Sequence, residues 1–170
     1  MANTKSILAN AANVALIVVS CLFIWLFVIH RDALRFKAGS PPDLTGTVLS
    51  PPPTYNWSGH DRTLVMAIQL GCHFCEDSMP FYRQLSELQH QNKLHATLLA
   101  YMPNQAGPAA AMLQSEKLDI AGVFDRPLKS LSVTGTPTLL LVNAKGRVER
   151  SWIGELPPEQ QLDVIKTLEK

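Results

Sequence analysis

At 170 residues the chain is long enough for one domain with extensions and a sizeable core. Fifteen Lys and Arg against 14 Asp and Glu leave a formal net charge of +1 with no basic run, which argues against a nucleic-acid partner. Hydrophobic residues make up 46% of the chain, and they are unevenly spread.

Residues 1–10 read as a short tail. Residues 11–29 carry no charge, and Asn13 and Ser20 are their only strongly polar groups. As a helix this run spans about 28 Å, close to the hydrocarbon thickness of a bilayer. A cleaved signal peptide would need a small-x-small site just downstream, and Lys37-Ala38-Gly39 is a poor one. Residues 11–30 are therefore expected to be an uncleaved transmembrane anchor. Lys5 precedes the span and Arg31, Arg35 and Lys37 follow it, a bias that by the positive-inside rule puts the C-terminal part in the cytoplasm.

Residues 31–58 contain Pro41, Pro42 and Pro51 to Pro53 with Gly39 and Gly46. They read as a juxtamembrane stalk. Within them, residues 45–50 have a second reading as an edge strand or cover for the domain that follows. Asn56-Trp57-Ser58 fits a glycosylation sequon, a three-residue pattern that chance readily produces.

A domain over residues 59–170 is expected from the patterning. Residues 63–70 form an apolar run, as in a strand covered on both faces. A helix follows over 72–91, with Phe74, Phe81, Leu85 and Leu88 at helical period and a kink at Pro80 after its first two turns. Next come a strand over 94–101, a helix over 108–116 opened by Pro108, a short strand over 120–124 and a helical turn over 127–131. Strands over 138–143 and 147–153 are joined by Ala144-Lys145-Gly146 as a hairpin. Pro157 and Pro158 open a last helix with Leu162, Ile165 and Leu168 on one face. The alternation makes this an α/β domain with a mixed central sheet flanked by helices.

The chemistry centres on Cys72-His73-Phe74-Cys75. At a helix start, free N–H groups and the dipole favour a thiolate on Cys72, the attacking species in thiol–disulfide exchange. Cys75, one turn on, is placed to resolve the mixed disulfide. Half a zinc site is the rival reading, but a closed site needs further ligands, and Cys21 lies inside the expected span. His73 either stabilises the Cys72 thiolate or is a solvent-facing first-turn residue. Phe74 suits a contact surface. Glu76 and Asp77 support the helix dipole as solvated acids, and Glu76 is also placed to pass protons to Cys75. His30, His60, His90 and His95 have no matching catalytic partner.

Strand–CxxC–helix, Pro80 five residues after Cys75, and Thr136-Pro137 before a strand hairpin together resemble the thioredoxin fold over residues 62–170. The run from Gly135 to Arg147 and the added segment 102–118 are similar to the membrane-tethered TlpA/ResA-like thiol–disulfide oxidoreductases. That resemblance implies a cis Pro137 facing the site beside Thr136. It also implies protein thiol or disulfide substrates, a membrane electron donor, and no cofactor beyond the redox-active Cys72–Cys75 disulfide. By the same resemblance the domain lies on the periplasmic side of the cell membrane as a reductase in extracytoplasmic redox or in cytochrome or copper-protein maturation. The charges flanking the span point the other way. Gly71 stands where the family usually has Trp, Met66 where thioredoxins have a buried Asp, and Ser78 where an acid often follows the second cysteine. A copper-carrying metallochaperone using the same two cysteines is the alternative, although no His follows His95 to serve as a later ligand. Peroxide reduction would need a Pro/Thr-containing cysteine loop that the chain lacks.

Overall fold

The computed structural model describes residues 13–25 and 43–169. Residues 13–25 are helical (α1), and their side chains are exposed, Leu16 to 71% and Phe23 to 70%. Among the described residues no helix is long and apolar enough to cross a membrane. The ends of the expected 11–30 span, the 1–10 tail and residues 31–42 of the expected stalk lie outside the described residues.

A second compact unit begins at Asp43. Its strands are β1 (Arg62–Ala67), β2 (Thr97–Tyr101), β3 (Val123–Phe124), β4 (Thr138–Asn143) and β5 (Val148–Ile153). Its helices are α2 (His73–Asp77), α3 (Met79–His90), α4 (Ala106–Ser115) and α5 (Pro158–Leu168). The sheet order is β3-β2-β1-β4-β5. β1 and β2 pair in parallel, as do β2 and β3, whereas β4 runs antiparallel to both β1 and β5. The expected mixed sheet is therefore present, with β1 at its centre.

Alternate residues of β1 feed two apolar clusters, because successive side chains of a strand point to opposite faces. Leu64, Met66 and Ile68 join Phe81, Tyr82 and Leu85 of α3, Leu113 of α4 and Val164, Ile165 and Leu168 of α5. Val65 and Ala67 join Leu99, Tyr101, Leu140 and Val142 on the other face. With Cys75 of α2 in the same cluster, four helices cover this face. The other is closed by the 3₁₀ turn Leu128–Leu131 and by residues 43–58.

The stalk reading fails for those last residues. Leu44, Leu49 and Trp57 are 6%, 3% and 5% exposed, and the Trp57 indole donates to the Leu49 carbonyl at 3.0 Å. Val48 bridges Arg147, and Val148 N–H donates to the Thr47 carbonyl at 2.8 Å. The cover reading of residues 45–50 is the one the fold adopts. It is seated on the β4–β5 turn, where Gly146 has φ +76° and a Cβ would come within 2.7 Å of the Leu49 carbonyl. Only glycine meets both demands without strain.

Other expectations shift in detail. The helix over 72–91 is two helices broken at Ser78, with Pro80 at the start of the second. Proline lacks the N–H for the bond to residue 76 and its ring crowds that carbonyl, so the expected kink is a full break two residues ahead of Pro80. In α5 the buried face is Val164, Ile165 and Leu168, and Leu162 is 54% exposed. Leu94 and Ala96 are buried but lie ahead of β2 rather than in it.

Candidate active site

The β1–α2 connection presents the cysteine pair. Gly71 has φ +70°, a left-handed conformation that glycine adopts without penalty. That backbone turn explains the glycine at the position where the resembling family carries Trp. Cys72 caps α2 with extended backbone, and its carbonyl accepts from Cys75 N–H at 2.9 Å and Glu76 N–H at 3.0 Å. Both cysteines are free, Cys72 half-buried and Cys75 buried at 1% exposure.

The loop before β4 brings a second backbone to the sulfur. The Thr136–Pro137 peptide is cis. The Cys72 thiol donates to the Thr136 carbonyl at 3.5 Å, and the Thr136 hydroxyl can donate back to Cys72 Sγ at 3.5 Å. The first contact suits the thiol and the second the thiolate. The Pro137 carbonyl is taken by Gly154 N–H at 2.8 Å, which ties the loop to the end of β5.

The two sulfurs are driven apart electrostatically. Burial pushes the Cys72 thiol up, but hydrogen bonds from the Cys75 thiol, the Thr136 hydroxyl and the Cys75 and Phe74 backbone N–H groups outweigh it and hold the thiol below its ordinary value. Cys75 is pushed up to about 12, first by burial and then by donating its own proton to Cys72. One group is thus prepared to ionise and the other to keep its proton, which divides the roles of attacker and second thiol.

Of the remaining expected site residues, His73 and Phe74 lie beside the pair but face solvent. The His73 side chain is 78% exposed, with Nε2 at 3.2 Å from Asp77 Oδ2, and Phe74 is 56% exposed. Glu76 is exposed on the α2 turn next to Cys75. Met66 is fully buried in β1 and supplies no polar group.

The sequence reading missed Tyr82. It is 2% exposed, and burial pushes its phenol well up, with Ser78 as its hydrogen-bonding neighbour. Ser78 is itself 6% exposed, and its hydroxyl donates to the Phe74 carbonyl at 2.7 Å. As a sequence pattern the spacing Cys75, Ser78, Tyr82 has helical period, a signal that was present but masked by the apolar neighbours of Tyr82, although the structure divides it between α2 and α3 at Ser78. Among the described residues no group of three His, Cys, Asp or Glu side chains converges as a metal site would, so the copper alternative gains no support.

Fold and cysteine pair together have the architecture of a thioredoxin-like fold with a CxxC pair at the start of its first helix after β1. No family model matches the chain, and no curated protein does. Solved structures do. A secreted thiol-disulfide isomerase from Corynebacterium glutamicum superposes with a TM-score of 0.54 at 21% identity, covering 76% of this chain and 85% of that one. A thiol:disulfide interchange protein from Bacteroides sp. gives 0.54 at 17% identity, over 76% and 88%. A second thiol-disulfide isomerase from Corynebacterium glutamicum gives 0.54 at 13% identity, over 79% and 99%. At these identities the likeness establishes the thioredoxin-like fold.

Proposed function

We propose that the protein is a membrane-anchored thiol–disulfide oxidoreductase that reduces disulfides of extracytoplasmic proteins, with Cys72 as nucleophile and Cys75 as resolving thiol. The observation that carries this reading is the opposite displacement of the two thiols, Cys72 held down and Cys75 pushed up, beside Thr136 and the cis Pro137. The Cys72 thiolate attacks one sulfur of the substrate disulfide, and the other sulfur leaves as a thiolate. Cys75 then attacks Cys72, forming the Cys72–Cys75 disulfide and releasing the second substrate sulfur. Two electrons pass to the substrate, so a dithiol donor must re-reduce the pair. A membrane electron donor fits that need.

Thr136 steadies the thiolate, Pro137 faces the incoming substrate, and the exposed Phe74 offers it a contact. Anchoring rests on the uncharged run at residues 11–30 and on the outward apolar side chains of α1. Export follows from the resemblance, and one of the similar structures is that of a secreted protein. Maturation of cytochromes or copper proteins is the kind of task this reading assigns. In the test, Cys75→Ser accumulates mixed disulfides with partner proteins and Cys72→Ser abolishes exchange. Turnover by Cys72→Ser would contradict the assignment. A membrane-impermeant maleimide labels Cys72 in intact cells if the domain is exported; labelling only after lysis places it in the cytoplasm.

A further inference from the structure

Cys75 must lose its proton before it attacks, yet it is 1% exposed and its thiol is pushed up to about 12. Little around it accepts a proton. Met66 of β1 and Ile68 just after it are apolar and fully buried. The Ser78 hydroxyl is committed to the Phe74 carbonyl, and burial holds the Tyr82 phenol neutral. The loss of an acid at the Met66 and Ser78 positions leaves this side of the sulfur without a base.

The opposite side differs. Cys75 forms part of the wall of a cavity of about 300 Å³, shared with Gln69, Glu76, Met112 and the Arg83–Glu116 ion pair. That volume holds several waters, and the walls supply polar partners for them. Glu116 is engaged by Arg83. Glu76 makes no ion pair among the described residues. The remaining charges near the sulfur belong to Cys72 itself and to the His73–Asp77 pair on α2.

We infer that Glu76 accepts the Cys75 proton through water in this cavity during the second half of exchange, an assignment that rests on the thiol–disulfide reading above. With Cys72 held in a mixed disulfide, the Cys75 S–H bond breaks and its proton moves through water to the Glu76 carboxylate. The Cys75 thiolate forms its bond to Cys72 Sγ as the Cys72–substrate S–S bond breaks. The leaving thiolate carries away the electron pair, and Glu76 returns its proton to solvent.

The aromatic disulfide DTNB separates the two halves in the reduced full-length chain carrying Cys21→Ser, which removes the third free thiol, since each half then releases one coloured thiolate in detergent. Attack by Cys72 gives the first release and resolution by Cys75 the second. Glu76→Gln is expected to slow the second release relative to the first by about tenfold at neutral pH, a modest share of what general bases contribute. The defect should shrink as pH rises and hydroxide replaces the carboxylate, and Glu76→Asp should recover part of the rate. An unchanged ratio overturns the assignment. So does an equal loss in Asp77→Asn, which removes a charge from the same turn without lining the cavity. A single release from the Cys21→Ser chain, or two from Cys21→Ser/Cys75→Ser, would instead contradict the thiol–disulfide reading itself.

Discussion

The two faces of the sheet are both closed to water, but by different means and to different ends. On one face the core is helical, and it includes a sulfur, a phenol and a serine hydroxyl among its buried groups. On the other, residues 43–58 and a 3₁₀ turn lie over Val65, Leu99 and Leu140, held by the Trp57 indole and the backbone bridges to β5. The difference teaches that the fold divides its labour. The helical face carries the opposed thiols of the cysteine pair, and the covered face, which buries the Tyr101 phenol among apolar side chains, supplies burial.

That division can be broken first at the covered face. Leu140 is fully buried there, so Leu140→Ala should cost about 3 kcal/mol in chemical denaturation by lost transfer energy and the cavity left behind. Exchange activity per folded molecule should be unchanged. A loss of activity in the folded fraction would show that the two faces are coupled.

A smaller effect comes from pH on the helical face. In the reduced protein the raised Cys75 value favours the native state below the ordinary thiol value, and that contribution is lost as pH rises from there towards about 12. Cys72 acts in the opposite sense. Its lowered value adds stability above the ordinary thiol value and loses it as pH falls through the folded value. The oxidised protein has neither thiol, and the cysteine charges are only the last of the causes that raise the Tyr82 phenol, after burial. The stability difference, reduced minus oxidised, should therefore peak near the ordinary thiol value and fall on both sides. Denaturation of both forms across alkaline pH reads this directly, and a flat difference would deny the opposed shifts.

The smallest expected effect sharpens the cover. Trp57→Phe keeps the ring but removes the donor to the Leu49 carbonyl. A cost of about 1 kcal/mol is expected, accompanied by faster amide exchange at Leu49 and Val148 if the cover loosens as a unit.

How much of this was legible in the chain depends on how local the cause is. β4 falls on residues 138–143 as read, because its apolar run ends at a hairpin turn whose glycine is locally required. Cys72 at the start of a helix was legible from the apolar strand before it and the polar-apolar period after it. The cover was legible only as one of two readings of residues 45–50, because a proline cluster looks the same whether it spans solvent or lies on a sheet. Only the distant partners of Leu44, Leu49 and Trp57 decide that. Leu162 was assigned to the buried face of α5 on spacing alone, but the stripe that meets β1 runs through Val164, Ile165 and Leu168. At the site, the cysteines, Thr136 and Pro137 were found from motif and resemblance. Tyr82 and the cavity were not, since both depend on how α3 and α4 pack against the β1–α2 turn.

The central claim is that the two cysteines are unequal, and alkylation tests it most directly. The reduced protein is treated briefly with limiting iodoacetamide across a pH series, and the modified residue is mapped by mass spectrometry. Of the pair, Cys72 alone should react, with a midpoint below the ordinary thiol value, and Cys75 should stay protected up to strongly alkaline pH. Modification of Cys75 at a rate equal to or above that of Cys72 would contradict the account.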